Sequence, residues 1–455
     1  MKCNLLSMAV ILAWGMSSAH ALDLPQAWQA AERNDAELAV AQAGHDAGVT
    51  RRDQAQALWR PSVNLSATVG AANNVTDTRG AQFSAPGIGT SSGVNFSTSV
   101  QGGTLGQVGI QAQQPLYSPE RRAQQRQLDL SAELADWQWQ ADRQQMILRT
   151  VERFFGLALA QESLAVLKQQ AAVIERSHME ANDRFKQGAV PITEVRDAEA
   201  RAAAVQAQII AAESELEIQR NALSQSTGLD YAQLIAQWPA RQQEQPETRS
   251  VDEFLGQAAQ DNPLVRMQAL AAEMAEQEVA RHSLQGSAHV DLVARASQDR
   301  LHGSGEFGSA TNSSGNAMVG VQLTVPLYSG GMREAKAAES LKLVERARAE
   351  LNRTHQLVAQ QVHAAWWGVT AGIRRVRALD AALQASQTRR DATRMGHEVG
   401  DRTLQDVLNA ENDASAAQLS LKQARVQVWL DQLRLSAAAG KLDAAALQAL
   451  AAGQP

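Results

Sequence analysis

The chain has 455 residues, of which 44% are hydrophobic and only 4% aromatic, and its formal net charge at pH 7 is -6. This balance supplies no basic patch, so we expect no nucleic-acid partner. The single cysteine, Cys3, excludes disulfides and thiolate metal sites from the rest of the chain. Length alone would allow about two or three globular domains, but the Ala, Gln, Glu, Arg and Leu content favours long helices with small-residue contacts.

Residues 1–21 have the features of a secretory signal peptide. Lys2 supplies the positive start, residues 5–16 a short apolar core, and residues 19–21 (AHA) a small-residue cleavage site. An N-terminal membrane anchor is the weaker alternative, because a spanning helix needs about 20 apolar residues. We therefore expect the mature chain to begin near Leu22.

The remaining pattern predicts a first structural repeat at 22–240 and a second at 241–440, followed by a C-terminal tail at 441–455. Within the first repeat we predict a helix at 24–59, a β-hairpin at 62–114, a long helix at 118–187 and a return helix at 191–228. Within the second we predict a helix at 250–286, a β-hairpin at 288–325, a long helix at 332–398 and a return helix at 403–440.

Two independent landmarks indicate that the chain is an internal duplication. The segments QPLYS and VPLYS place Pro115 and Pro326 at 211 residues from each other. The glycines that end the long helices, Gly188 and Gly400, are 212 residues apart. Unrelated landmarks that agree on one spacing are typical of a repeat.

The hairpins are predicted from segments of about 9 to 11 residues with alternating polarity, at 62–71, 105–113, 288–296 and 317–325, with polar loops between them. This is the length of a tilted strand that crosses an outer membrane. A pair of water-soluble hairpins is the alternative, and it is disfavoured because a two-stranded hairpin is barely stable alone. Four strands cannot close a barrel, which takes about eight, so several chains are expected to share one.

Each long helix of about 68 residues would extend roughly 100 Å, and two helices of about 36 residues stacked end to end would match it. These lengths predict a helical tube that continues the strand barrel. A polar tube conducts and does not catalyse, so we do not predict an enzyme. The nine histidines are scattered without ligand spacing, and we predict no cofactor and no metal site.

The most distinctive residues follow the two glycine turns. On the second return helix a polar face carries Arg402, Asp406, Asn409 and Asp413, and the first return helix repeats it with Glu194, Asp197 and Arg201. If chains assemble around an axis, Asp406 becomes a ring of carboxylates, which selects for cations. The alternative is that this face is only solvated, and the pattern leaves both open.

The segments RFKQGAVPITEVRDAEA (184–200), HEVGDRTLQDVLNAEN (397–412) and the paired PLYS motifs resemble the TolC family of outer-membrane efflux and secretion channels, over almost the whole mature chain. The resemblance implies a homotrimer in the outer membrane of a Gram-negative bacterium, in contact with its lipid. Each chain would give four transmembrane strands to a shared 12-stranded β-barrel and long antiparallel helices to a periplasmic α-barrel. The implied partners are a periplasmic adaptor (membrane fusion) protein and an inner-membrane ABC or RND pump.

The resemblance also assigns residues by position. The implied periplasmic entrance ring is Asp406 and Asn409, the implied entrance lock is Arg402, His397, Thr193 and Glu194, and the implied adaptor-contacting tips are Gly188, Ala189, Val190, Gly400 and Asp401. Three of these depart from the family pattern: His397 replaces a tyrosine, and Glu194 and Asn409 each replace an aspartate. We expect a weaker lock and reduced cation block.

The predicted function is a passive outer-membrane duct for type I protein secretion, small-molecule efflux or both, gated at its periplasmic entrance. One alternative is a periplasmic coiled-coil adaptor without a pore, which predicts a single helical hairpin and globular β domains. Another is a structural coiled coil, which predicts sustained apolar heptads. The adaptor does not account for the duplication and the four strands, and the Ala-rich runs do not show the heptads of a structural coiled coil. The sequence does not identify the substrate.

Overall fold

The computed structural model describes residues 22–231, 234–239, 249–305 and 308–452, so the predicted signal peptide lies outside the described residues. The first repeat contains α1 (Leu24–Asn34), α2 (Ala36–Ala57), β1 (Ser62–Ala85), β2 (Gly89–Tyr117), α3 (Pro119–Lys186) and α4 (Ile192–Thr227). The second contains α5 (Val251–Asp261), α6 (Pro263–Leu284), β3 (His289–Gly305), β4 (Gly308–Thr324), α7 (Met332–Glu398) and α8 (Leu404–Ala438). The same order of elements therefore occurs twice, and a further helix, α9 (Ala444–Ala452), lies in the predicted tail.

The described residues form two compact units, and each unit contains parts of both repeats. A helical unit takes the residues up to Asp46, 135–269 and 350 onward, and a sheet unit takes 47–134 and 270–349. The main core of the helical unit contains Phe154 and Phe155, both fully buried, and Trp429, whose ring lies 5.1 Å from that of Phe155. In the described part of the chain, no helix is both long and apolar enough to cross a membrane.

The helices predicted at 24–59 and 250–286 are each interrupted once. Asp35 leaves the helical conformation with ψ 118°, and its Oδ1 accepts from the N–H of Leu38 at 2.9 Å. Asn262 does the same with ψ 125°, and its Oδ1 accepts from the N–H of Val265 at 3.3 Å. In each repeat one side chain therefore ends a helix and caps the next, whereas the sequence pattern predicted one uninterrupted helix in each place.

The buried acid of this break is held by a cation. Arg149 donates from Nη2 to Asp35 Oδ1 at 2.7 Å, and the Asp35 side chain is only 4% exposed. Burial raises the pKa of Asp35, but the hydrogen bonds from Leu38 and Arg149 outweigh it, so the pKa lies below the ordinary value. Asp35 is thus a charged, paired structural residue.

The four strands form one antiparallel sheet in the order β1-β2-β3-β4. They have 24, 29, 17 and 17 residues, so they are longer than predicted. Most of the residues predicted as loops, between 71 and 105 and between 299 and 316, continue the strands with paired backbones. The loop prediction was wrong because alternating polarity marks a strand only where one face is apolar, and here both faces are polar.

The part of the sheet that contains residues 62–71, 105–113, 288–296 and 317–325 has one apolar and one polar face. Leu65 pairs with Ile110, and Ile110 pairs with Ala296, so these side chains share a face. Val319 lies on that face through its partner Ala294, and Leu65 and Val319 remain 75% and 76% exposed. β1 and β4 are the outer strands of the sheet, so each has one edge without a partner strand.

Candidate functional site: the two tips

Two helix-to-helix turns in the helical unit have the same backbone. We call residues 187–194 the first tip and residues 399–406 the second tip. Gly188 has φ 74° and Gly400 has φ 81°, a conformation that costs a glycine little and an L-residue more. At the first tip, the N–H groups of Gly188 and Ala189 donate to the carbonyls three and five residues earlier, at 2.8 and 2.9 Å.

The second tip repeats both bonds. The N–H groups of Gly400 and Asp401 donate to the carbonyls of His397 and Gly396, at 3.0 and 2.8 Å. Both tips are therefore Schellman turns, and the equivalence of Gly188 and Gly400 extends to their hydrogen bonds. Among the residues predicted to contact an adaptor, Ala189 and Asp401 are the equivalent donors, and Val190, which follows Ala189, is half-buried.

Within the second tip, α8 begins with a capping box. Thr403 Oγ1 accepts from the N–H of Asp406 at 3.1 Å, and Asp406 Oδ2 accepts from the N–H of Thr403 at 3.1 Å. The Thr403 hydroxyl also donates to the same carboxylate at 2.8 Å. These hydrogen bonds, with a smaller attraction from Arg402, hold the pKa of Asp406 below its ordinary value. Asp406 is thus ionised and structurally committed to the start of α8.

Within the first tip, α4 begins without such a box. The cap is Pro191, which has no hydroxyl and makes no side-chain capping bond. Glu194 occupies the third position of α4, as Asp406 does in α8, and its N–H donates to the carbonyl of Pro191 at 3.1 Å. The two acidic positions are equivalent in sequence but differ in what holds them.

The starts of α4 and α8 lie side by side. Thr193 and Glu194 of α4 line a cavity of about 230 Å³ together with Thr403, which caps α8, and with Gln405 and Leu408 of α8. Leu404 and Leu408 are buried in the same hydrophobic cluster as Val195 of α4. Apolar contacts on one side of each helix therefore bring residues of the two repeats to a common site.

His397 lies on a different cavity. That cavity, of about 590 Å³, is lined by Arg176 and Arg184 of α3, by Arg394, and by Gly400 of the second tip. The His397 Nδ1 and the Arg402 carbonyl oxygen are 2.9 Å apart, so the ring N–H donates to that carbonyl. Within the part of the chain that the structure describes, no hydrogen bond or ion pair joins His397 or Arg402 to Thr193 or Glu194. The structure thus does not bring the four predicted lock residues together inside one chain.

Asn409 has a partner that we did not predict. Arg201 of α4 donates from Nη2 to Asn409 Oδ1 at 3.1 Å, across a sequence separation of 208 residues. One turn further along α8, Asp413 is paired with Arg389 of α7. The sequence places Arg201 on the same face as Glu194, but its partner depends on how two distant helices are rotated against each other.

The described residues contain no group of His, Cys, Asp or Glu side chains that could hold a metal ion. The tips instead combine fixed backbone turns, one anchored carboxylate and several cationic side chains. This arrangement suits interaction with ions and with other chains.

A known protein family matches most of this chain. The family model described as outer membrane efflux protein matches residues 27–229 and 254–441. The outer membrane protein TolC of Vibrio cholerae is 28% identical over 432 residues, which cover 94% of this chain and 92% of that protein. The alkaline protease secretion protein AprF of Pseudomonas aeruginosa is 26% identical over 346 residues, which cover 75% of this chain and 71% of that protein.

A solved structure has the same fold. The Campylobacter jejuni CmeC outer membrane channel superposes with a TM-score of 0.73 at 15% sequence identity, over 94% of this chain and 89% of that chain. Long antiparallel helices combined with a four-stranded antiparallel sheet are therefore a fold that this chain shares with an outer membrane channel.

Proposed function

Because this chain belongs to the outer membrane efflux protein family, we propose that its tips form the gated periplasmic entrance of a trimeric export channel. The chain is an outer-membrane export channel and not an enzyme, which confirms the predicted class and localisation. The adaptor alternative is not supported, since the matched relatives are outer-membrane proteins.

The proposal that three chains assemble is based on the open four-stranded sheet, which has one apolar face. Leu65 and Val319 are more than two-thirds exposed, and an outward face of this kind suits lipid. In a bilayer each unpaired backbone group of the β1 and β4 edges costs several kcal/mol. Three copies, with β1 of one beside β4 of the next, would give 12 strands and leave no edge.

The proposed entrance places Asp406 and Asn409 around the axis, with Arg402, His397, Thr193 and Glu194 as the closing contacts. The shared cavity at the starts of α4 and α8 supports a site built from both repeats. The lowered pKa of Asp406 supports a ring that is negatively charged at neutral pH. Since no described contact joins the two halves of the lock inside one chain, we assign their contacts to neighbouring chains.

For substrate and partners we rely on the relatives. The Pseudomonas aeruginosa relative is named for alkaline protease secretion, so we propose a secreted polypeptide as the first substrate class. Small-molecule efflux is the second, because the matching family model is described by efflux. In either case the tips Gly188, Ala189, Val190, Gly400 and Asp401 would contact a periplasmic adaptor, which joins the channel to an inner-membrane ABC or RND pump.

The test is extraction of the protein from outer membranes in detergent, followed by single-channel recording in a planar bilayer. We expect an oligomer of three chains and a small, cation-selective conductance that divalent cations reduce. Asp406→Ala should raise the conductance and weaken the block. A monomer without conductance would contradict the assembly, and an unaltered block in Asp406→Ala would contradict the entrance ring.

A further inference from the structure

A side-chain hydrogen bond joins the two return helices near the tips. Arg201 Nη2 of α4 donates to Asn409 Oδ1 of α8 at 3.1 Å. Asn409 is exposed and Arg201 is half-buried, so the hydrogen bond is partly accessible to solvent. Its partner is a neutral amide, so the bond fixes the guanidinium without neutralising it.

The carboxylates near Arg201 do not form ion pairs with it either. On its own helix Glu194 and Asp197 precede it by seven and four residues and share its face. On α8, Asp406 precedes Asn409 by three residues, or about 4.5 Å along the axis, and Asp413 is paired with Arg389 of α7. Among the described residues, no carboxylate lies within ion-pair distance of Arg201.

A guanidinium keeps its charge at every physiological pH. A chain that contributes an Asp406 carboxylate to the entrance therefore contributes an Arg201 guanidinium about one helical turn further on. We propose that Arg201 is a selectivity-determining residue of the entrance. Held by Asn409, it offsets the Asp406 charge and admits anions and anionic substrates that carboxylates alone would exclude.

This inference rests on the proposed role of the tips as the entrance and adds a charge of opposite sign to it. It also gives the asparagine at position 409 a second effect, besides the loss of one acidic ring. An aspartate at this position would add a negative charge and would also form a charge-assisted pair with Arg201. Asparagine avoids both effects, so the Arg201 guanidinium keeps a neutral partner and its charge is not paired.

The first experiment is the reversal potential of the purified channel in a planar bilayer under a KCl gradient. Arg201→Gln should raise the cation-to-anion permeability ratio at least about twofold, because a unit charge several ångströms from the ion path changes the occupancy of a single ion by about this factor even in water. Arg201→Lys keeps the charge and should keep the wild-type ratio. Arg196→Gln is the matched control, because Arg196 is on the same helix but is paired with Glu199 at 2.6 Å.

A second variant tests the charge inside an assembled channel. Arg201→Cys introduces a thiol into a chain whose only other cysteine is Cys3, in the predicted signal peptide. A cationic thiosulfonate should restore the wild-type ratio, and an anionic thiosulfonate should raise it further. Equal effects of the two reagents would overturn the inference.

Asp406→Asn separates this inference from the proposed function. If Asp406→Asn lowers the ratio and Arg201→Gln raises it, both stand. If Asp406→Asn lowers the ratio and Arg201→Gln leaves it unchanged, the entrance stands and the role of Arg201 is overturned. If neither variant changes the ratio, the tips are not the entrance and both fail.

Discussion

The two tips have one backbone and two ways of starting the next helix. Both contain a glycine at positive φ and the same pair of turn hydrogen bonds. In the second tip, Thr403 and Asp406 then bond reciprocally, whereas Pro191 in the first tip leaves Glu194 without that partner. The duplication thus preserved the geometry that only the backbone needs and let the side chains diverge. The acid of the second repeat, Asp406, is held by a capping box, whereas the equivalent acid of the first repeat, Glu194, is less constrained.

The largest expected effect comes from replacing the glycines that form the backbone turn shared by both tips. Gly400→Val forces a β-branched residue into the left-handed region, which costs about 1–2 kcal/mol. Gly188→Val should cost about the same, because the two turns are equivalent. Hydrogen exchange of the amides around each substituted glycine should accelerate by about tenfold, measured by mass spectrometry on the assembled channel.

Gly44→Ala is the control, since Gly44 lies inside α2, where an added Cβ meets nothing within 4 Å and φ is negative. It should leave exchange at both tips unchanged. A large effect at one tip and none at the other would show that the two turns are not equivalent in solution.

The feature that differs between the tips, the side-chain cap of α8, is tested by removing the Thr403 hydroxyl. Thr403→Val keeps the shape of the side chain but loses the bond to the Asp406 N–H, a loss of about 1 kcal/mol for a threonine cap. Exchange at residues 404–407 should accelerate, and residues 192–195 of α4 should not respond. Ser in place of Thr403 retains the hydroxyl and serves as the control, so equal acceleration in Thr403→Ser would argue against the cap.

Acid should act on the second tip through the same bonds. The pKa of Asp406 is lowered in the folded protein, so its contribution is complete above the ordinary value of 3.8 and is lost as the pH falls through the folded-state pKa. Exchange at the start of α8, corrected for its intrinsic pH dependence, should be constant from pH 7 to about pH 4 and rise only below that. Asp406→Asn should abolish the transition; a rise already between pH 7 and pH 5 would contradict the lowered pKa.

Residues that act locally could be read from the sequence. Gly188 and Gly400 were predicted to end long helices because the turn they form depends on their own backbone freedom. The Thr403-x-x-Asp406 capping box has the same local character and was available in the sequence, although we did not predict it. In contrast, Asp35 interrupts a helix without a neighbouring proline. Aspartate is a favoured N-cap residue, but inside a long helical pattern it gave no separate sign of a break.

Features that depend on distant packing could not be read in this way. The contact between Arg201 and Asn409 spans 208 residues and requires both return helices to have a particular rotation. Between residues 71 and 105, β1 and β2 are polar on both faces. Their pairing is therefore set by the neighbouring strand and not by a polarity pattern. The face of α8 was predictable, since Leu404, Val407 and Leu408 follow helical spacing and are buried.

The smallest effect should come from giving the first tip the start that the second tip has. Pro191→Thr places a hydroxyl three residues before Glu194, which completes the capping-box pattern, but it also removes the restriction that proline imposes on the unfolded chain. These opposing effects leave an expected gain of a few tenths of a kcal/mol. Exchange at residues 192–195 should slow slightly, and Pro191→Ala, which loses the ring without adding a hydroxyl, should accelerate it. If Pro191→Thr and Pro191→Ala behave alike, Glu194 cannot take the position that Asp406 takes, and the difference between the tips lies in the backbone as well as in the cap.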